Sequence, residues 1–177
     1  MEQMQVWWIG ERHPGEAALD YLRLRLAQAF PAPAAIWTQA GRPEGAFDPR
    51  RKQWSSSRIL SWLASAGPAG KVLGVTDVDL FVPILTFVFG EAQLGGRTAV
   101  VSSARLGHPV VHDERLVLSR LAKESVHEMG HVFGLLHCGV PGCVMGRSAD
   151  VQDVDRKRVE PCPSCRERLA HGIREAI

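Results

Sequence analysis

The sequence predicts an α+β fold, a mixed twisted sheet with helices packed on it. Three observations carry that reading. Short apolar runs rich in valine, threonine and tryptophan alternate with segments whose apolar residues recur at helical spacing. Glycine and proline punctuate the boundaries between them. A chain of 177 residues, 45% hydrophobic and 23% charged, is also large enough to bury one substantial core. No internal repeat, long linker or low-complexity tract divides it, so a single folded unit over 1–177 is expected.

Taken in order, residues 5–9 are a short apolar run before Gly10 and read as a buried strand. Over residues 16–30, Leu19, Leu22, Leu26 and Phe30 form a stripe at three- and four-residue spacing, with Arg23, Arg25 and Gln28 off it. Pro31 and Pro33 should end that helix. Residues 34–38 read as a second strand and 41–49 as a surface loop. Trp54, Ile59, Leu60, Trp62 and Leu63 then suit a second helix over 53–65, closed by Gly67 and Pro68. Strands resume at 71–78, 86–89 and 98–104, separated by Pro83 and by Gly95 with Gly96. The strongest helical segment is 114–136, where Leu116, Leu118, Leu121, Val126 and Val132 can form one apolar face.

A formal charge of +2, with arginine and lysine scattered, is not the footprint of a nucleic-acid partner. The N-terminus has no basic leader with an apolar core, and the apolar stretch 80–89 is interrupted by Pro83, short of the ~20 residues that cross a bilayer. The expectation is a soluble cytoplasmic chain, a monomer by default, without nucleic-acid or membrane partners. In a reducing compartment, four cysteines gathered between Cys138 and Cys165 argue for metal before disulfides.

The chemistry lies at the end of the strongest helix. His127 and His131 are four residues apart, so they stand one above the other on one helical face and can reach one ion. A catalytic zinc site needs three protein ligands and an open position for water, and a straight helix does not readily supply the third from the same face. Gly134 lets the chain turn back, and His137 follows just beyond it. Glu128 points about 100° from its neighbour around the helix, which sets it beside a water at the metal without ligating it. Its expected role is general base and then proton shuttle to a leaving amine. Helical histidines of no special role are the bland alternative.

Cys138 and Cys143, with four residues between them, and Cys162 and Cys165, with two, have the pairing of a closed structural zinc site of four thiolates. Two disulfides or a redox pair are the alternative. If the chain is extended at His137 and Cys138, their side chains point to opposite sides and can serve different ions. Arg147, Arg156, Lys157, Arg158 and Arg166 are near enough in sequence to offset thiolate charge. His108 and His112 read as surface residues, and Asp77 and Asp79 as strand-end hydrogen-bonding groups. Tyr21 is the only tyrosine and lies in the first helix, so no phenolic oxyanion stabiliser can be assigned beside the zinc.

The string from His127 to His137, with Gly134 between the second and third histidines, resembles the metzincin clan of zinc peptidases. Its continuation into Cys138, then Cys143 followed by Val144 and Met145, then Cys162 and Cys165, resembles the archaemetzincins. Residues 124–165 carry this resemblance, with weaker similarity at Gln53-Trp54, Ile59-Leu60 and 74–80. It implies a zincin-like domain over 1–177, of which 1–136 hold the sheet, the helices and the active-site helix, and 137–177 a Met-turn and the four-cysteine segment. It implies a zinc metallopeptidase, endo- or aminopeptidase undetermined, with two zinc ions: one catalytic on His127, His131 and His137, one structural on Cys138, Cys143, Cys162 and Cys165. Met145 would form the Met-turn beneath the histidines. A peptide or protein substrate would lie as an extended strand against a sheet edge within 87–92. A noncatalytic zinc-stabilised peptide-binding module, or a hydrolase of a nonpeptide amide, are the other functions open at this point.

Overall fold

The computed structural model describes residues 4–172 except 31, 33, 39, 40, 67, 68 and 109. In chain order its elements are β1 (Met4–Trp8), α1 (Glu16–Ala29), β2 (Ala34–Thr38), β3 (Phe47–Asp48), β4 (Gln53–Ser55), α2 (Ser56–Ala66), β5 (Lys71–Thr76), β6 (Leu80–Phe81), β7 (Gly90–Ala92), β8 (Thr98–Ser102), α3 (Glu114–Val132), α4 (Val151–Arg156) and α5 (Pro163–Gly172). The breakers expected at Pro31, Pro33, Gly67 and Pro68 lie outside the described residues.

The main sheet has the order β2-β1-β5-β8-β7, with every pair parallel except β7 against β8. Parallel strands covered on both faces read as continuous apolar runs, and β8 is buried at all five positions. Alternation sorts β5 and β8 between two cores. Leu73, Val75, Ala99 and Val101 meet Leu19, Leu22 and Leu26 of α1 and Leu121, Val126 and Met129 of α3 on one face. Val72 and Val100 meet Ile59, Leu60 and Leu63 of α2 on the other. Gly74 belongs to the second set: a Cβ there would stand 2.9 Å from Leu63 Cδ1, so its lack of a side chain is what lets α2 approach. The second sheet, β3-β4-β6, is short and sits beside α2.

Beyond shifts of one or two residues at the ends of β1, α1, β5 and β8, three segments differ from the sequence reading. Helix α2 begins at Ser56 because Gln53 and Trp54 are drawn into β4: Gln53 Nε2 donates to Asp79 Oδ2 (3.0 Å) and Thr86 O (2.9 Å), and Trp54 N to Asp79 O (2.8 Å). Residues 86–89 form no strand. Val88 makes one isolated bridge to Leu80, and regular pairing begins at Gly90, so the aromatic content there marks a wall and not a ladder. Helix α3 stops at Val132 and leaves 133–136 to a turn. Helices α4 and α5 lie in a region the sequence reading left without elements, and α5 adds Cys165 and Leu169 to the larger core. No helix among the described residues is long and apolar enough to cross a membrane.

Candidate metal centre

Asp113 caps α3 by accepting a hydrogen bond from Leu116 N (3.0 Å), which frees the helix to run 19 residues to the site. At its far end Gly134 adopts φ 91°, the left-handed conformation expected of it, and Leu135 N closes the turn on Gly130 O (2.9 Å). The chain then doubles back beneath the helix.

That return brings His137 to His131 and His127, with ring centroids 4.8 and 5.4 Å apart. His127 Nδ1 lies 2.8 Å from Val144 O, and His131 Nδ1 lies 2.7 Å from Leu135 O. Because a carbonyl can only accept, both protons sit on Nδ1 and both Nε2 atoms carry bare lone pairs. Those two Nε2 atoms are 3.2 Å apart. Lone pairs facing at that distance repel unless a cation lies between them, and nitrogens about 2.05 Å from one tetrahedral zinc would be about 3.3 Å apart. The donor set therefore fits zinc. Burial, reinforced by the Lys157 ammonium, holds His127 down to about 3. Burial also lowers His131 and His137, with the His131 and Arg147 charges adding to it at His137. All three are thus favoured in the neutral form that binds metal. His127 is buried and His137 exposed, so the site opens on the His137 side.

Glu128 lines the same cleft, a volume of about 500 Å³ bounded by residues 85–90 on one side and Arg147, Ser148 and Ala149 on the other. Burial, then the charges of Glu124 and Glu91, raise its carboxyl well above the usual range. Its side chain rests on Gly90 of β7, where a Cβ would stand 2.7 Å from Glu128 Cγ. One turn earlier on α3, Glu124 forms a buried ion pair with Lys157, Nζ to Oε1 3.0 Å. The same ammonium stands 3.5 Å from His127 Nδ1.

Met145 is fully buried. Its sulfur packs where a Cβ on Gly130 would be, directly under the stretch of α3 that carries the histidines. Cys138 N donates to Met145 O (2.9 Å), which ties the turn to the residue after His137. Cys138, Cys143, Cys162 and Cys165 form the second cluster, all four sulfurs within 4.8 Å of one another. They are free thiols. The separations Cys138–Cys162 and Cys143–Cys165 are both 3.9 Å, close to the ~3.8 Å edge of a tetrahedron of sulfurs about 2.3 Å from zinc. Val140 N donates to Cys138 Sγ and Cys162 N to Cys143 Sγ, both 3.4 Å. Burial pushes the Cys143 and Cys165 thiols up, while the Cys165 N–H holds Cys162 down to about 7. Four thiolates here call for a divalent cation.

The five basic residues expected around the thiols divide. Arg158 and Arg166 line a hollow beside Cys143 and Cys162. Lys157 turns to Glu124, Arg156 pairs with Asp153 (2.8 Å), and Arg147 faces the histidine cleft. The aspartates behave as strand-end groups: Asp77 accepts from Glu11 N and Arg12 N, and Asp79 is gripped by Arg105 at 2.7 Å. His108 accepts from Val110 N and Val111 N in an exposed turn. Sequence reasoning missed Glu124 and assigned Lys157 to the thiolates instead. The signal within reach was a glutamate four residues before Glu128, one turn along the same helix.

Comparison with known proteins bears on the same region. The model of Peptidase family M54 matches residues 69–171. An archaemetzincin of Methanopyrus kandleri is 43% identical over 137 residues, covering 77% of each chain. The crystal structure of an archaemetzincin from that organism superposes with a TM-score of 0.88 at 35% identity, over 98% of this chain and 96% of the other. A zinc-dependent peptidase from Methanocorpusculum labreanum superposes with a TM-score of 0.84 at 29% identity, over 94% and 99%.

Proposed function

We propose, from the premise that this chain belongs to peptidase family M54, the archaemetzincins, and is a zinc metallopeptidase, that it cleaves peptide bonds with Glu128 as general base and His127, His131 and His137 as the ligands of its catalytic zinc. The observation that carries the proposal is the pair of deprotonated Nε2 atoms converging beside a buried carboxylate in an open cleft.

Zinc bound there would supply a Lewis acid that polarises the scissile carbonyl and brings the pKa of a water to about 7. Glu128 takes the proton of the attacking water, holds it on its carboxylate, and releases it to the leaving nitrogen as the carbon–nitrogen bond breaks. Burial raises its proton affinity, the direction a general base needs. Gly90 fixes how far the carboxylate can swing. The outer edge of β7 offers backbone groups on which an extended peptide can lie antiparallel or parallel as an added strand. Cys138, Cys143, Cys162 and Cys165 would hold a second, structural zinc, and Met145 packs against Gly130 beneath the stretch of α3 that carries the histidines.

Glu128→Ala is the test. The variant should retain its zinc and lose hydrolysis of a peptide library by about a thousandfold. Hydrolysis at the wild-type rate would overturn the base assignment. A wild-type protein that binds peptides at full zinc loading and yields no product would favour a noncatalytic binding module instead.

A further inference from the structure

The histidine cleft carries one cation that no described residue neutralises, and we propose that Arg147 is its subsite for a substrate carboxylate, an acidic side chain beside the scissile bond or a free C-terminus. This rests on the peptidase reading above.

Among the residues lining the cleft, Arg147 is the only arginine or lysine. It follows Met145 by two residues and lines the cleft together with Ser148 and Ala149. Leu85, Phe87, Val88 and Phe89 give the same cleft an apolar lining, with Thr86 among them. Other cations near the cleft are committed. Arg105 lies over the Phe87 ring at 4.5 Å, yet its charge is paired with Asp79, to which Nε and Nη2 donate at 2.7 Å. Lys157, on the floor, is held by Glu124 at 3.0 Å. The Arg147 guanidinium has no hydrogen bond and no ion pair to any described residue, and the side chain is exposed.

Glu128 lines the same cleft but forms no ion pair with it, and the other acidic groups nearby are engaged. Glu124 also accepts from Ser148 Oγ (3.3 Å), and Glu91 accepts from Ser56 and Ser57 on the far side of β7. Asp150 caps α4 and Asp153 pairs with Arg156. A planar fork of five donors, left open at the mouth of a partly enclosed cleft, matches a carboxylate in two parallel hydrogen bonds. One apolar wall and one cationic wall would thus read two different properties of a peptide held between them.

The experiment uses the zinc-loaded protein and a peptide series of one sequence. Asp or Glu replaces Asn or Gln at each position flanking the cleaved bond, with the C-terminus free or amidated. For wild type, kcat/KM should favour one carboxylate over its amide isostere on the order of tenfold, and the position or the amidation arm tells which carboxylate it is. Arg147→Ala should abolish that ratio, and Arg147→Glu should turn the preference toward Lys at the same place. An unchanged ratio in Arg147→Ala would overturn the proposal. So would an equal loss of kcat on acidic and amide peptides, because the guanidinium would then act on the reacting oxygen. If wild type cleaves none of the series, the peptidase reading fails. Calorimetric affinities for the same peptides still decide Arg147, and equal affinities for acid and amide would overturn it.

Discussion

Gly90 and Gly130 show how single absent side chains set the geometry of the site. A Cβ on Gly90 would stand 2.6 Å from Val100 O and 2.7 Å from Glu128 Cγ, so β7 and the carboxylate cannot both stay where they are. Gly90→Ala should therefore leave zinc content intact and lower kcat by about a hundredfold, the scale that an ångström of misplacement costs. Steady-state kinetics with metal analysis of the same preparation checks it. Gly130 makes the complementary point: its bare backbone is the floor against which Met145 packs. The histidine cluster was legible in sequence because helical spacing converts directly into a shared face, and a glycine before His137 converts directly into a reversal. The two glycines were not, since their neighbours are Val100, Glu128 and Met145, set by packing between distant elements.

At the scale of elements, α3 is the axis of the site, and two ion pairs bind the segment around α4 to it. Arg120 grips Asp155 at 2.8 and 2.7 Å, and Lys157 reaches Glu124 with both side chains only 4% exposed. Removing one member of a fully buried pair leaves the other charge without compensation, a loss of about 3–5 kcal/mol. Lys157→Met should therefore destabilise the protein by that amount, whereas the double variant with Glu124→Gln should recover most of it; urea melts of wild type, both single variants and the double variant form the cycle. The periodicity of α3 exposed it in sequence, but Glu124 and Lys157 are 33 residues apart. No local pattern encodes such a partnership. The same limit explains residues 86–89, whose strand-like composition is used by a cleft wall carrying Phe87 and Phe89.

For the whole molecule, the alternation of strands and helices was enough to give the α+β class, because each element advertises its buried face. The order β2-β1-β5-β8-β7 was not readable, as it depends on which strands meet across long connections. The two candidate metal centres are joined through one peptide bond, His137 to Cys138, and through the hydrogen bond from Cys138 N to Met145 O. Elemental analysis should find two zinc ions per chain. Mild chelation should remove the histidine-held ion first, with activity lost and the melting temperature nearly kept. Stripping the thiolate-held ion should lower the melting temperature by on the order of 10 °C or more. A single ion per chain, or loss of both together, would contradict the two-centre arrangement. One last consequence follows from the edge strand β7, which is three residues long. At about 3.4 Å per residue it is a ruler of roughly 10 Å. A peptide added along it, as proposed, would be held by backbone hydrogen bonds over only about three residues, so the side chains lining the cleft would have to supply the rest of the selectivity.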